Sequence, residues 1–171
     1  MRPHLNTDHP EIEKLNRQLF VLPDLTLSNV TKEEESADYA AHRFQINENK
    51  VIFRVAKITP NKTGQFVSIW KRNEKGQTAP FDDADDFDYV FIVTNTLMQS
   101  GCFLFPKKVL QEKNILSNQC RGGKRGIRVY PPWDEAESKQ AKQTQLWQMN
   151  YFLEISDNIN PHHIINLLNG R

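Results

Sequence analysis

Between positions 107 and 128 the sequence gathers Lys107, Lys108, Lys113, Arg121, Lys124, Arg125 and Arg128 against a single acid, Glu112. Gly122, Gly123 and Gly126 within this run let a backbone approach an anion closely and turn its N–H groups toward it. Arginine meets phosphate oxygens with a planar fork and lysine with a point charge. Each phosphate so neutralised also releases counterions, which makes binding steeply salt-dependent. The same run suits a solvated surface loop, and the spacing of a nucleotide-binding phosphate loop is missing from it. Aromatic residues accompany the cations. Trp70 adjoins Lys71 and Arg72, while Tyr130 and Trp133 follow Arg128 across Pro131 and Pro132. Exposed rings beside cations let unpaired bases stack, and buried rings in those places would serve the core.

Two lysines interrupt apolar stretches. By strand alternation Lys57 shares a face with Val51, Phe53 and Val55, and Lys71 shares one with Val67 and Ile69. A cation there must reach solvent along its stem or find an anion. If the two lie on adjacent strands, one phosphate can use both. The aspartates at 82, 83, 85, 86 and 88 offer oxygens to a hard cation, but their spacing is not that of a calcium loop. His162 and His163 are adjacent and so point apart on a helix, and no histidine–cysteine zinc spacing or cofactor motif occurs. Cys102 and Cys120 are expected to stay as free thiols.

The elements that must position these groups follow from periodicity. In HPEIEKLNRQLF the apolar residues Ile12, Leu15, Leu19 and Phe20 recur at helical steps, with Asp8 as the cap, Pro10 in the first turn and Pro23 as the stop. Three extended segments come next, at 39–47, 51–59 and 65–72, separated by turns at 47–50 and 60–64, and read as a meander. The middle one is apolar on both sides, as befits a sheet interior. Strands are predicted at 88–95 and 102–106, a short helix after Pro106, and a strand in IRVYPPW. A second long helix is predicted from Ser138 to about Ile155, striped by Leu146, Met149 and Leu153, and a closing helix at 160–169. The 171 residues suit a single α/β (α+β) domain over 1–171, with a central mixed sheet flanked by helices. The polar N-terminus carries no secretory signal, and the longest apolar runs, such as VFIV at 90–93, fall far short of a membrane span of roughly 20 residues. A cytoplasmic protein is therefore expected, with no membrane partner. The formal net charge of +1 leaves the distribution of charge, rather than its total, to decide the partner.

Four blocks carry a family resemblance: RVAKITPNKTGQFVSIWKR (54–72), CFLFPKKVL (102–110), GKRGIRVYPPWD (123–134) and KQTQLWQMNYF (142–152). In order and spacing, over about 39–155, they resemble MepB-like proteins. The resemblance implies a fold related to the PD-(D/E)XK endonucleases and binding of nucleic acid, with RNA or single strands preferred over duplex. A catalytic member of that fold needs carboxylates that hold a divalent metal beside a lysine. Here Lys71 is present, but Ile69 stands where the carboxylate would, and the preceding strand offers Lys57. The departure argues for binding without the usual catalytic acids and without a cofactor, and the residues themselves assign phosphate contacts to Lys57, Lys71, Arg72, Lys124, Arg125 and Arg128, with Trp70, Tyr130 and Trp133 shaping the groove or stacking in it. The alternative readings are a nuclease using magnesium or manganese on an atypical acid set, such as Glu48 or the 82–88 aspartates, and a protein-interaction module.

Overall fold

The computed structural model describes residues 9–170. Helix α1 (Pro10–Gln18) buries Ile12 and Leu15, as its periodicity requires. Asp8, the expected cap, lies outside the described residues; the His9 side chain instead accepts the Glu11 N–H at 3.3 Å. The chain continues through β1 (Leu27–Lys32), β2 (His42–Ile46) and β3 (Asn49–Val55), then β4 (Lys57–Ile58), β5 (Gln65–Ser68), β6 (Trp70–Arg72) and β7 (Thr78–Pro80). After β8 (Tyr89–Asn95), β9 (Ser100–Pro106) and α2 (Lys107–Glu112) come β10 (Gly126–Val129), α3 (Lys139–Gln148), β11 (Phe152–Glu154) and α4 (Pro161–Leu168).

Six strands form the central sheet in the order β1-β2-β3-β8-β9-β11. Only β3 and β8 run parallel, with Val51 opposite Tyr89 and Val55 opposite Val93, so the sheet is mixed as expected. The runs VFIV and CFLF are apolar on both sides because both faces of the sheet are covered. On one face α1 and α4 bury Phe44, Phe53, Phe91 and Leu104. On the other, Ile92, Phe103 and Phe105 meet α2 and a small three-stranded sheet, β10-β5-β4. Burying one such phenylalanine is worth about 2–3 kcal/mol, so these strands dominate the core. Among the described residues no helix is long and apolar enough to cross a membrane.

The structure corrects three sequence-based expectations. The segment 65–72 pairs antiparallel with Lys57–Ile58 across the predicted turn, but not within the central sheet: Ala56 donates its N–H to Val93 O at 2.9 Å, and the chain then leaves that sheet. Its place beside β3 goes to β8, whose VFIV run buries more apolar surface than QFVS could. Strand β1 was not foreseen, because only Leu27 of its residues is buried and a bulge between Ser28 and Thr31 breaks the alternation.

The third correction concerns the long helix. It ends at Gln148, and Phe152 then pairs with Phe103 as an edge strand. Leu146, the supposed core stripe, is 76% exposed. Polar groups fasten α3 instead, together with Trp147, whose ring packs on Phe105 with centroids 5.3 Å apart. Gln148 accepts the Tyr130 N–H at 2.8 Å and donates to Arg128 O at 3.0 Å, while Gln145 donates to Pro131 O at 3.0 Å and Asp134 O at 2.8 Å. Leu146→Gln is accordingly expected to move unfolding stability by no more than about 0.5 kcal/mol in urea denaturation; a loss of about 2 kcal/mol would restore the apolar stripe.

Candidate nucleic-acid interface

The small sheet builds one wall of a groove of about 780 Å³, and α3 builds the other. In the sheet, Arg128 stands opposite Phe66, and Phe66 stands opposite Lys57, so the three side chains share one face. Two strand spacings, roughly 10 Å, separate the outer pair. The Arg128 guanidinium donates to Thr63 O and Gly64 O at 3.2 Å each and to the Thr59 hydroxyl. That clamp fixes the turn that carries Lys62. Gly64 sits at φ +80°, and a Cβ there would lie 2.7 Å from the Tyr130 ring, so the turn also needs a glycine to close over that ring.

Four cations line the groove: Lys62, Lys113, Lys124 and Arg128, with no aspartate or glutamate among the lining residues. Among the described residues none of them has an acid within 4.0 Å. Four acids are engaged with cations elsewhere. Glu33 holds Arg43 at 2.6 Å and the fully buried Arg54 at 2.7 Å; Glu35 holds Arg72, Asp85 holds Lys71 at 2.5 Å, and Asp86 holds Lys50. Trp147, half-buried, lies in the groove with its ring 5.4 Å from the Lys113 ammonium. A neighbouring depression of about 680 Å³ shares Lys62 and Arg128 but is rimmed by Asp134, Glu135 and Glu137. Burial pushes the Asp134 carboxyl above its ordinary range. The cationic path therefore has an acidic end.

Of the residues singled out in the sequence, Lys124, Arg128 and Tyr130 line the groove. Lys57 shares its sheet face beyond Phe66, its ammonium 4.9 Å from the Tyr39 ring. The rest are elsewhere. Lys71 lies on the β6–β7 ribbon, opposite Ala79, so it does not pair with Lys57 across adjacent strands. Trp70 and Arg72 share that ribbon, the guanidinium 5.4 Å from the ring. Arg125 turns away to Thr78 O at 3.0 Å, and Trp133 packs on Phe152 with ring centroids 5.7 Å apart. Lys113, part of the basic run at 107–128, lines the groove as well, whereas Lys62 and Trp147 were not singled out; an isolated lysine and a helical tryptophan give no local signal.

The aspartates at 82–88 do not converge on a common point. Asp82 accepts from the Ser117 hydroxyl at 2.6 Å and the Cys120 N–H at 2.9 Å, Asp85 accepts the Asp82 N–H at 2.7 Å besides binding Lys71, and Asp88 accepts the Lys50 N–H at 2.8 Å. Glu48 is exposed in the turn between β2 and β3. Ile69 is buried at 3% exposure. Among the described residues no three histidine, cysteine, aspartate or glutamate side chains are placed to hold a metal ion.

A family model described as MepB-like matches residues 33–154. The chain belongs to the MepB-like family. The crystal structure of MepB aligns with it at a TM-score of 0.75 and 35% identity, covering 85% of this chain and 97% of that one. A bacterial homing endonuclease, I-Ssp6803I, aligns at a TM-score of 0.43 and 13% identity over 81% of this chain and 88% of that one. No curated protein matches the sequence. The groove of this MepB-like chain falls within the matched span, since Lys62, Lys113, Lys124, Arg128 and Trp147 all lie between residues 33 and 154.

Proposed function

We propose that this MepB-like protein binds nucleic acid in the groove between the small sheet and α3, preferring RNA or single-stranded DNA to duplex, and that binding needs no divalent metal. The observation that carries the reading is the set of four cations, none held by an acid among the described residues, lining a cleft that no described acid enters. A polyanion gains there both direct Coulomb attraction and the release of its own counterions. Trp147 supports the preference for single strands: its ring packs on Phe105 and carries the Lys113 ammonium over it, and an unpaired base can take the ammonium's place while the ammonium moves to a phosphate, whereas paired bases are already stacked within the duplex.

Fluorescence anisotropy across a salt series tests this. With four phosphates engaged, log K is expected to fall against log salt with a slope of about −3 for a single strand, and to be unchanged by a chelator. Undetectable binding at low salt, or affinity indifferent to salt, would refute the proposal.

A further inference from the structure

Helix α3 is unusual in what it offers the groove. Gln140, Gln143, Thr144 and Trp147 all line it, and they are spaced as i, i+3, i+4 and i+7, one stripe of a helix. A stripe facing protein would be apolar; this one is two neutral amides, a hydroxyl and an indole. Gln140 and Gln143 are exposed, and among the described residues neither amide nor the Thr144 hydroxyl makes a side-chain hydrogen bond. The contrast lies within the same helix. Gln145 and Gln148 spend their amides on the backbone of residues 128–134. One pair of glutamines holds the helix in place, and the other pair faces the cleft with its donors and acceptors free.

The cations come from β10 (Arg128), the β4–β5 turn (Lys62) and the segment between α2 and β10 (Lys113 and Lys124). A strand lying between the two walls would put its phosphates against Lys62, Lys113, Lys124 and Arg128 and its bases against α3. Phosphate contacts position a strand and carry no sequence information; contacts to base edges do. A glutamine amide presents a donor and an acceptor side by side, the complement of the adjacent ring nitrogen and exocyclic amine of adenine. We infer that the 140–143–144–147 face of α3 reads the edges of unpaired bases, adenine foremost, with Trp147 as the stacking platform. This inference rests on the groove reading above.

The experiment must separate edge contacts from stacking. Oligomers of about 12 nucleotides, made as RNA and as DNA, would carry either adenine or unsubstituted purine, which stacks similarly but lacks the N6 amine. Wild-type protein is expected to bind the adenine oligomer about tenfold more tightly than the purine one. Gln140→Ala/Gln143→Ala should bring the two within about twofold while keeping the salt slope. Lys113→Ala should do the reverse, weakening both oligomers alike and lowering the slope by about 1. Comparing the sugars shows which nucleic acid gains from the same contacts. Equal affinity of wild-type protein for the two bases, or a preference that survives the double glutamine variant, would overturn the inference while leaving the groove reading intact. Failure to bind either oligomer would overturn both. Both glutamines are exposed and alanine favours helix, so an unchanged circular dichroism melt is expected for the double variant.

Discussion

A variant carrying Lys113→Glu and Lys124→Glu is expected to lose at least about a hundredfold in affinity for single-stranded nucleic acid at low salt. Two of the four groove cations would become anions, so the wall that faced phosphates would carry as many negative charges as positive ones. The salt slope should collapse from about −3 toward zero, because little net charge remains to displace counterions. Stability should be unaffected, since both lysines are exposed and neither is tied to an acid within 4.0 Å among the described residues. The right comparison is Lys139→Glu/Lys142→Glu. These lysines are exposed on α3 outside the groove lining, and reversing them changes the net charge by the same amount. That control is expected to cost only a few-fold, through the long-range field. Equal losses in the two variants would mean that the chain attracts polyanions everywhere and that the groove is not the site.

Local density of positive charge identified 107–128 as basic, and Lys113, Lys124 and Arg128 do line the cleft. The same reasoning gathered Lys71 and Arg72, yet these are neutralised by Asp85 and by Glu35, acids 14 and 37 positions away. Whether a cation is free is a tertiary property that composition cannot supply. Strands were legible where both faces are buried, as in VFIV and CFLF, since continuous apolar runs admit few alternatives. They were illegible where the strand is mostly exposed, as in β1, or where an apolar tail follows a helix, as at Phe152. Helix α3 misled for a chemical reason. Apart from Trp147 on Phe105, its inner attachments are amide hydrogen bonds from Gln145 and Gln148, and a search for apolar stripes passes over them.

Asp82→Ala is expected to disturb the folded chain strongly through a single polar group. The carboxylate is 6% exposed and anchors the glycine-rich loop, accepting from the Ser117 hydroxyl, the Cys120 N–H and, at 3.1 Å, the Ala84 N–H. Hydrogen bonds to a charged acceptor are worth about 1.5–3 kcal/mol each, and water can replace part of the loss at the exposed Cys120. A net cost of roughly 3 kcal/mol follows, or a melting point lower by roughly 10 °C. The effect should also depend on pH in one direction. The Ser117 hydroxyl first, and the Cys120 N–H next, hold the Asp82 carboxyl far below its ordinary value of 3.8. The unfolded chain therefore takes up the proton at a higher pH than the folded one. Between those two values the unfolded state binds more protons, so the stability that Asp82 contributes is complete well above pH 4 and is lost as pH falls below it. The difference between wild type and Asp82→Ala should accordingly be full at pH 7 and narrow in acid. A constant difference across that range would mean that the aspartate acts through shape and not charge. Because the same loop carries Lys124 to the groove, the variant should also bind single strands several-fold more weakly, with a salt slope lower by about 1. Unaltered binding in a variant destabilised to this degree would show that the loop holds Lys124 in place without its anchor.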